Sequence, residues 1–366
     1  MNIAYRFRIY PTEEQKILLG KTFGCCRFLY NQMLNDKIQE YEKTKKMLKN
    51  TPAMYKREYP FLKEVDSLAL ANVQLHLEKA YKNFFRDPKI GFPKFKSKHH
   101  SRNSYTTNVV NGNILVESKR IRLPKLKWIA MKKHREPAKG LRLKSVTVSM
   151  EPSGKYFASL LYEGDSCENQ AAEPDYSTAK ILGIDYAMQG MAVFSEEIEM
   201  EEAGFFRKNE KRLVREQRKL SRCVRGSHNY ELQKKKVARC HEKIRNQRRD
   251  YLHKLSRKIV DSYDAVAVED IDMKAMGQCL HFGKSVHDNG YGMFREMLDY
   301  KLAWKGKKIV KVDRFFPSSK KCCQCGRIKK ELKLSERVYH CVCGNEMDRD
   351  RNAAINIREE ARRMLT

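Results

Sequence analysis

Along the first ten residues apolar and polar positions alternate, with Ile3, Tyr5, Phe7 and Ile9 on one side and Arg6 and Arg8 on the other. A period of two predicts a strand with an apolar face and a cationic face. Pro11 and Thr12 end it, and Thr12 with Gln15 three residues on makes a capping-box start for a helix. Leu19, Phe23, Cys26, Tyr30 and Met33 then recur at helical spacing, so Cys25 and Cys26 are expected to pack there and not to ligate a metal. A second helix is predicted over 67–85. Residues 113–163 read as short strands: 114–116, 121–123, and a hairpin of 143–150 and 156–162 turning at Pro152-Ser153-Gly154. With the N-terminal strand added, they predict a small barrel.

The polar, acidic stretch 167–178, with Pro174, is the best candidate for a domain boundary. Beyond it the pattern becomes α/β. An apolar run at 180–185 (KILGID) ends in an acid, and 191–194 follows as a second strand after a turn at Gln189-Gly190. Residues 264–269 (DAVAVE) repeat the acid-terminated run, Phe294, Met297, Leu298, Lys301 and Leu302 mark a helix, and 308–313 is another strand. Between them 205–260 is a long charged helical region, expected as a hairpin broken near Gly226-Ser227. A final helix carries Ala354, Ile357, Ala361 and Leu365 on one face. Internal repeats and long low-complexity linkers are absent from the sequence.

Charge changes the picture most. The 366 residues carry 75 Lys+Arg against 45 Asp+Glu, a formal +30, which makes a polyanion the leading partner. Between Arg207 and Lys258 there are 20 Lys/Arg against 5 Asp/Glu, a net +15 and half of the whole excess. A solvated helix face mixes both signs, so this imbalance favours phosphate contact, with Arg215, Arg218, Arg222, Arg245 and Arg248 as candidates. Arg6 and Arg8 are further candidates. So are Lys94, Lys96, Lys98 and Arg102, which interleave with Phe92, Phe95 and Tyr105 as backbone contact with stacking would require. A solvated loop with core-anchored aromatics fits that spacing equally well, and His99 and His100 read as surface residues. No apolar stretch is long enough to span a bilayer, and the N-terminus lacks the apolar core of a secretory signal, so a cytosolic setting is expected. Eleven cysteines in a reducing compartment then point to metal ligation and buried thiols instead of disulfides.

The densest chemistry lies at 319–357. Cys322/Cys325 (C-x-x-C) and Cys341/Cys343 (C-x-C) are each followed directly by a glycine, Gly326 and Gly344. Two thiolate knuckles a hairpin apart are how a zinc ribbon offers four sulfurs to a tetrahedral ion. Cys323 reads as a bystander, and His340 could replace Cys341 as a ligand. Acids supply a second, harder donor set. Asp185 and Glu269 each end a predicted central strand, where open α/β sheets place their sites, and Asp350 opens the last helix. Three carboxylates converging on one sheet edge can hold two Mg(II) ions for phosphodiester cleavage. Asp270, Asp272, Asp313 and Asp348 remain rival positions on spacing alone, and any single acid at a strand end is more often a cap or ion-pair partner.

Taken together, these stretches resemble the TnpB family, transposon-encoded RNA-guided RuvC-type nucleases held to be ancestral to type V CRISPR effectors. The resemblance is carried by YRFRIYPTEEQ at 5–15, KAYKNFFRDPKIGFPKFKSK at 79–98, GIDYA at 183–187, VEDI at 268–271, FPSSKKCCQCG at 316–326 and CVCGNEMDRDRNAAINI at 341–357. It implies Asp185, Glu269 and Asp350 as the catalytic acids, choosing Asp350 over Asp348, and Cys322, Cys325, Cys341 and Cys343 as zinc ligands. Two departures stand out: Tyr186-Ala187 follows the first acid where many members carry Leu-Gly, and the second knuckle is C-x-C and not C-x-x-C. Neither removes a ligand.

By that resemblance the chain is a multidomain α+β protein. A wedge β-barrel would comprise 1–10 and 103–168, with a helical recognition domain at 11–102. An RNase H-like (RuvC) nuclease domain would comprise 178–316 and 346–366, with the helical insertion 205–260 facing a guide–target duplex. An inserted zinc ribbon at 317–345 would steer single-stranded DNA, with Arg337 as a phosphate contact. The implied function is RNA-guided cleavage of double-stranded DNA beside a short motif, with Mg(II), structural Zn(II) and a guide RNA. Three alternatives remain: a compact type V CRISPR-like effector or transposon-to-CRISPR intermediate, a guided repressor that does not cut, and a DNA-binding accessory of transposition.

Overall fold

A computed structural model describes residues 2–98, 100–164, 174–187, 191–199, 204–272, 290–333 and 335–366. His99 and the turn at Gln189-Gly190 lie outside the described residues. The chain divides into two units, 1–166 and 167–366.

In the first unit, β1 (Asn2–Tyr10) runs into α1 (Glu13–Thr44) through the expected capping box, in which Gln15 N–H donates to Thr12 Oγ1 and Thr12 N–H donates to Gln15 Oε1. Then come α2 (Pro52–Glu58), α3 (Ser67–Arg86), β2 (Asn103–Asn108), β3 (Leu115–Val116), β4 (Arg120–Leu123), β5 (Lys127–Lys132), β6 (Arg142–Met150) and β7 (Tyr156–Glu163). The strands form one antiparallel sheet in the order β2-β6-β7-β1-β5-β4-β3. The N-terminal strand therefore sits at its centre, as its alternation required. Where a small barrel was expected, β2 and β3 are the two ends of the hydrogen-bonded order among the described residues. Phe7 and Ile9 of β1, Leu19, Leu29 and Met33 of α1, Leu70 and Leu77 of α3, and Val146 and Val148 of β6 belong to one continuous core. Helices and sheet in this unit thus stabilise each other by shared apolar burial.

The second unit is built on a four-stranded mixed sheet in the order β11-β10-β8-β9, from β8 (Ile181–Ala187), β9 (Met191–Phe194), β10 (Ala265–Glu269) and β11 (Lys308–Val312). β8, β10 and β11 are parallel, and β9 is an antiparallel edge. Parallel strands covered on both faces read as unbroken apolar runs, and Ile181–Ile184 and Ala265–Val268 are buried throughout. Successive residues still point to opposite faces. Leu182, Ile184, Val266 and Val268 pack with α5 (His228–Ser262) and α6 (Tyr291–Trp304), whereas Ile181, Ala265 and Ala267 pack with α7 (Arg349–Leu365). α4 (Phe205–Ser221) folds back on α5 as the expected hairpin, turning at Gly226 (φ +83°) around Leu213, Cys240 and Ile244. A short antiparallel pair, β12 (Val338–His340) and β13 (Glu346–Asp348), leads directly into α7.

One glycine sets the approach of α7 to the sheet. A Cβ on Gly183 would lie 2.0 Å from the Ala354 carbonyl oxygen and 2.9 Å from Arg358 Cβ and backbone nitrogen. Only a residue without a side chain lets the helix backbone rest on the strand there. Gly183 lies two residues before Asp185 on the same face of β8, and Ala354 lies one helical turn after Asp350. The glycine of the GID motif thereby brings the ends of two distant segments together.

Candidate active site and thiolate centre

Asp185 and Glu269 follow the paired residues Ile184 and Val268, so they occupy adjacent positions at the carboxyl ends of neighbouring parallel strands. By the alternation along β8 and β10, both belong to the face that α7 covers. Asp350 stands in the first turn of α7. The structure brings these three acids together electrically: burial first, then the carboxylates of Glu269 and Asp350, raise the Asp185 pKa to about 8, with Arg349 opposing. Burial also raises Glu269. A carboxyl is held neutral in this way when like charges crowd it in a low-dielectric site.

Three of the rival acids, Asp348, Asp313 and Asp270, have other partners. Asp348 is the N-cap of α7, accepting the Arg351 backbone N–H at 2.9 Å. Asp313 accepts the Phe315 N–H at 2.7 Å in a turn, and Asp270 lies 3.8 Å from Arg295 and 3.9 Å from Arg314. Asp350 itself is held by Arg349 at 3.2 Å and lies 3.8 Å from Arg337 of the ribbon. Cations thus balance the site from outside.

The four cysteines form a tighter group. The Sγ atoms of Cys322, Cys325, Cys341 and Cys343 all lie within 4.8 Å of one another, the only such set of metal-ligating atoms among the described residues. Cys322 and Cys343 are 3.7 Å apart, Cys325 and Cys341 3.6 Å. A Zn–S bond of about 2.3 Å gives a tetrahedral edge of about 3.8 Å, so the donor set fits zinc. Burial would raise the Cys322 thiol, yet the backbone N–H groups of Cys325 and Gln324 and the Asn345 amide bring it down to about 6. Cys343 is pushed up to about 12, against the Asn345 N–H, by burial and by the three neighbouring thiols. Four sulfurs this close cannot all be thiolates without a cation. Positive-φ glycines close both knuckles, Gly326 at +74° and Gly344 at +90°. His340 turns to Glu346 at 3.5 Å and leaves the ligand position to Cys341, and Cys323 contacts Met347 Sδ outside the cluster.

Of the basic candidates, Arg215, Arg218 and Arg222 share one groove along α4 with Arg207, Lys211 and Lys219. The 207-211-215-218-222 spacing is a helical stripe visible in the sequence. Arg245 and Arg248 are half-buried on α5. In the first unit Arg6 is paired with Glu151 at 2.5 Å and lies over Phe157, and Arg8 lies over Tyr10. Lys96 sits over Tyr30 and, with Arg102, lines a cavity of about 330 Å³ between α1, α3 and β2. Lys94, Lys98 and Arg102 are exposed.

Two residues near these strand ends had no signal in the sequence to place them there. Tyr291 and Arg295, one turn apart at the start of α6, carry a hydroxyl and an Nη1 that are buried without a hydrogen-bond partner among the described residues. The Tyr291 ring packs edge-on against Tyr186, and its phenol is raised by burial and by the Asp185 carboxylate. An unmade hydrogen bond of this kind costs about 1–3 kcal/mol. The i, i+4 pair was legible, but nothing in the sequence aimed it at β8.

Residues 160–279 match a family described as "Probable transposase", 291–357 a "Cas12f1-like, TNB domain", and 1–46 a "Helix-turn-helix domain". In this chain 2–44 holds one strand and one long helix, β1 and α1. Across 97% of its length the chain is 33% identical to a Streptomyces pristinaespiralis protein named "Putative RNA-guided DNA endonuclease", covering 88% of that protein. It is 31% identical to InsQ of Escherichia coli K12, which bears the same description, over 97% of this chain and 91% of the relative. The fold resembles a solved Cas12f1 chain, from a complex with sgRNA and target DNA, at a TM-score of 0.60, 13% identity and 98% coverage of both chains. The fold defines a mixed α/β protein carrying a cysteine ribbon. The chain belongs to the TnpB family.

Proposed function

We infer that this protein is an RNA-guided DNA endonuclease whose cleavage centre is Asp185, Glu269 and Asp350. The observation that carries the reading is that Asp185 and Glu269 end neighbouring parallel strands and Asp350 opens the helix packed on that face, with Glu269 and Asp350 adding to burial in raising the Asp185 carboxyl. An all-oxygen donor set suits a hard cation such as magnesium. A pair of such ions would supply an activated water and stabilise the leaving 3′ oxygen of the phosphodiester. The chain's own part is to give up the Asp185 proton and to release Asp350 from Arg349 and Arg337. Arg337, 68% exposed, is then free to meet a phosphate.

On this reading, 178–316 and 346–366 form the RuvC nuclease domain, and 317–345 the zinc ribbon that steers single-stranded DNA. Residues 1–10 and 103–168 serve as the wedge and 11–102 as the recognition helices. The α4 stripe lies along the guide–target duplex, and Lys94, Lys98 and Arg102 contact backbone, whereas Arg6 and Lys96 support the unit from within. Target choice rests on guide pairing, with the protein reading shape and charge. The complex would act in the cytoplasm.

The test is to express the protein with its flanking DNA, sequence the co-purifying RNA and assay cleavage with it. One discrete RNA with a constant scaffold and a variable tail, and cutting that needs magnesium, is expected. Heterogeneous RNA, or guided binding without cutting, would overturn the reading.

A further inference from the structure

The opening of α7 carries a contradiction in its sequence. Asn352 and Asn356 lie on its buried side with Ala353, Ala354, Ile357 and Ala361, and they are 0% and 3% exposed. Asparagine is a poor helix former and costly to bury, so two on one packed face break the local pattern without a gain inside the helix.

Their partners explain them. Asn352 Oδ1 accepts the Cys323 backbone N–H at 3.0 Å, and its Nδ2 donates to the Lys321 carbonyl at 2.7 Å. Asn356 Nδ2 donates to the same carbonyl at 2.7 Å and to the Ser318 carbonyl at 2.8 Å. All four bonds reach the backbone of 318–323, the stretch that enters the first thiolate knuckle. Asn345 adds a contact to Cys322 Sγ at 3.5 Å from the other side. Asp350 sits two residues before Asn352, on the turn where β13 becomes α7. The helix that carries the third acid is therefore held on two sides, by Gly183 of the sheet and by the Asn352/Asn356 bonds to the knuckle.

We propose that Asn352 and Asn356 are positioning residues that couple the cysteine knuckle to Asp350, so that zinc in the ribbon strengthens divalent-cation binding at the carboxylates. This rests on the reading of those acids as a metal site. A filled knuckle fixes the backbone of 318–323, and the two amides pass that fixed position to the first turn of α7. Such linkage is reciprocal, so a cation at the acids strengthens zinc retention by the same factor.

The experiment measures Mn(II) binding to the full chain by electron paramagnetic resonance, with zinc content and melting temperature recorded for each sample. Wild type, Asn352→Ala, Asn356→Ala, Asn352→Asp and Asp185→Ala are compared, and wild type is repeated after zinc withdrawal. The expected result is Mn(II) binding weakened roughly five- to fifty-fold in each alanine variant while zinc stays bound, a size ordinary for coupled sites. Asn352→Asp, which keeps the acceptor for Cys323 but loses the donor, falls between. Zinc withdrawal weakens wild type by a similar factor and adds little in the alanine variants. Guided cleavage by those variants loses kcat with KM unchanged. Because a buried asparagine replacement can unfold the segment, the zinc-withdrawn wild type decides independently of any variant. Wild-type Mn(II) affinity in zinc-replete alanine variants, or in the zinc-withdrawn chain, would overturn the coupling. Mn(II) binding that survives Asp185→Ala would instead overturn the acids as the metal site, so the two failures are told apart.

Discussion

The two candidate metal centres of the second unit are built on opposite plans. The ribbon takes its four sulfurs from 22 residues of chain, 322–343, and gathers them within 4.8 Å of one another by turns, glycines and a two-stranded hairpin. The carboxylates come from positions 185, 269 and 350, and no local geometry relates them. What joins them is the strand order β10-β8 and the seating of α7 on Gly183. Burial first, then the charges of Glu269 and Asp350, raise the Asp185 carboxyl, and Arg349 and Arg337 lie within 4 Å of Asp350. Soft ligands that are neighbours in sequence converge through turns and a hairpin, whereas hard ligands far apart in sequence need the whole fold to meet.

The sharpest break of that comparison is to delete a hard ligand. Asp185→Ala, Glu269→Ala or Asp350→Ala is expected to lower guided cleavage at least about a thousandfold, about 4 kcal/mol of barrier, with guide RNA binding retained. Near-wild-type cutting by any of the three removes that residue from the site. Next comes the scaffold that joins the acids. Gly183→Ala should cost roughly 3 kcal/mol or more, because its Cβ meets a helix carbonyl and not a flexible tip. Chemical denaturation would show it, and an unshifted midpoint would mean that α7 does not rest on β8.

The ribbon should fail locally instead. Chelating zinc, or Cys325→Ser, is expected to expose amides of 318–348 to hydrogen exchange while the sheet amides stay protected, since structural zinc contributes folding free energy directly. Unaltered exchange would refute a metal-dependent ribbon. A pH-dependent effect follows from Asp185. Its folded pKa, about 8, lies above the unfolded value near 3.8, so the folded state binds the proton more tightly and loses stability as pH rises between them. The cation-free protein should weaken by up to about 1.4 kcal/mol per pH unit across that window, and Asp185→Asn should flatten the slope. Equal slopes in urea titrations at several pH values would contradict the crowding of the acids. Smallest per residue, replacing Arg215, Arg218 and Arg222 by Gln should lower the salt slope of nucleic-acid binding by up to about 3. No change would remove the α4 stripe from the interface.

Much of the scaffold could be read in order. The capping box at Thr12, the strand ends at Asp185 and Glu269, the break at Gly226 and the two cysteine pairs each depend on neighbours within a few residues. β2 could not, because NSYTTN has no apolar run and gains its strand only by pairing with β6 along 145–150. β5 was missed although Ile129 and Met131 alternate inward with exposed Lys127, Ala130 and Lys132, because six residues flanked by lysines give too short a period. Arg6 looked like a surface cation because Glu151, its partner, is 145 residues away.

The sequence by itself determined the ligand types, the four sulfurs and their spacing, the charge that calls for a polyanion, and the acids at the ends of apolar runs. These follow from residue chemistry and short-range periodicity. Tertiary structure alone decided that Asp348 caps the last helix, that the Tyr291 ring packs against Tyr186, and that two asparagines bind that helix to the backbone of 318–323. Each of those depends on which distant backbone lies within hydrogen-bond or Coulomb range, and such proximity is a property of packing, which no local pattern encodes.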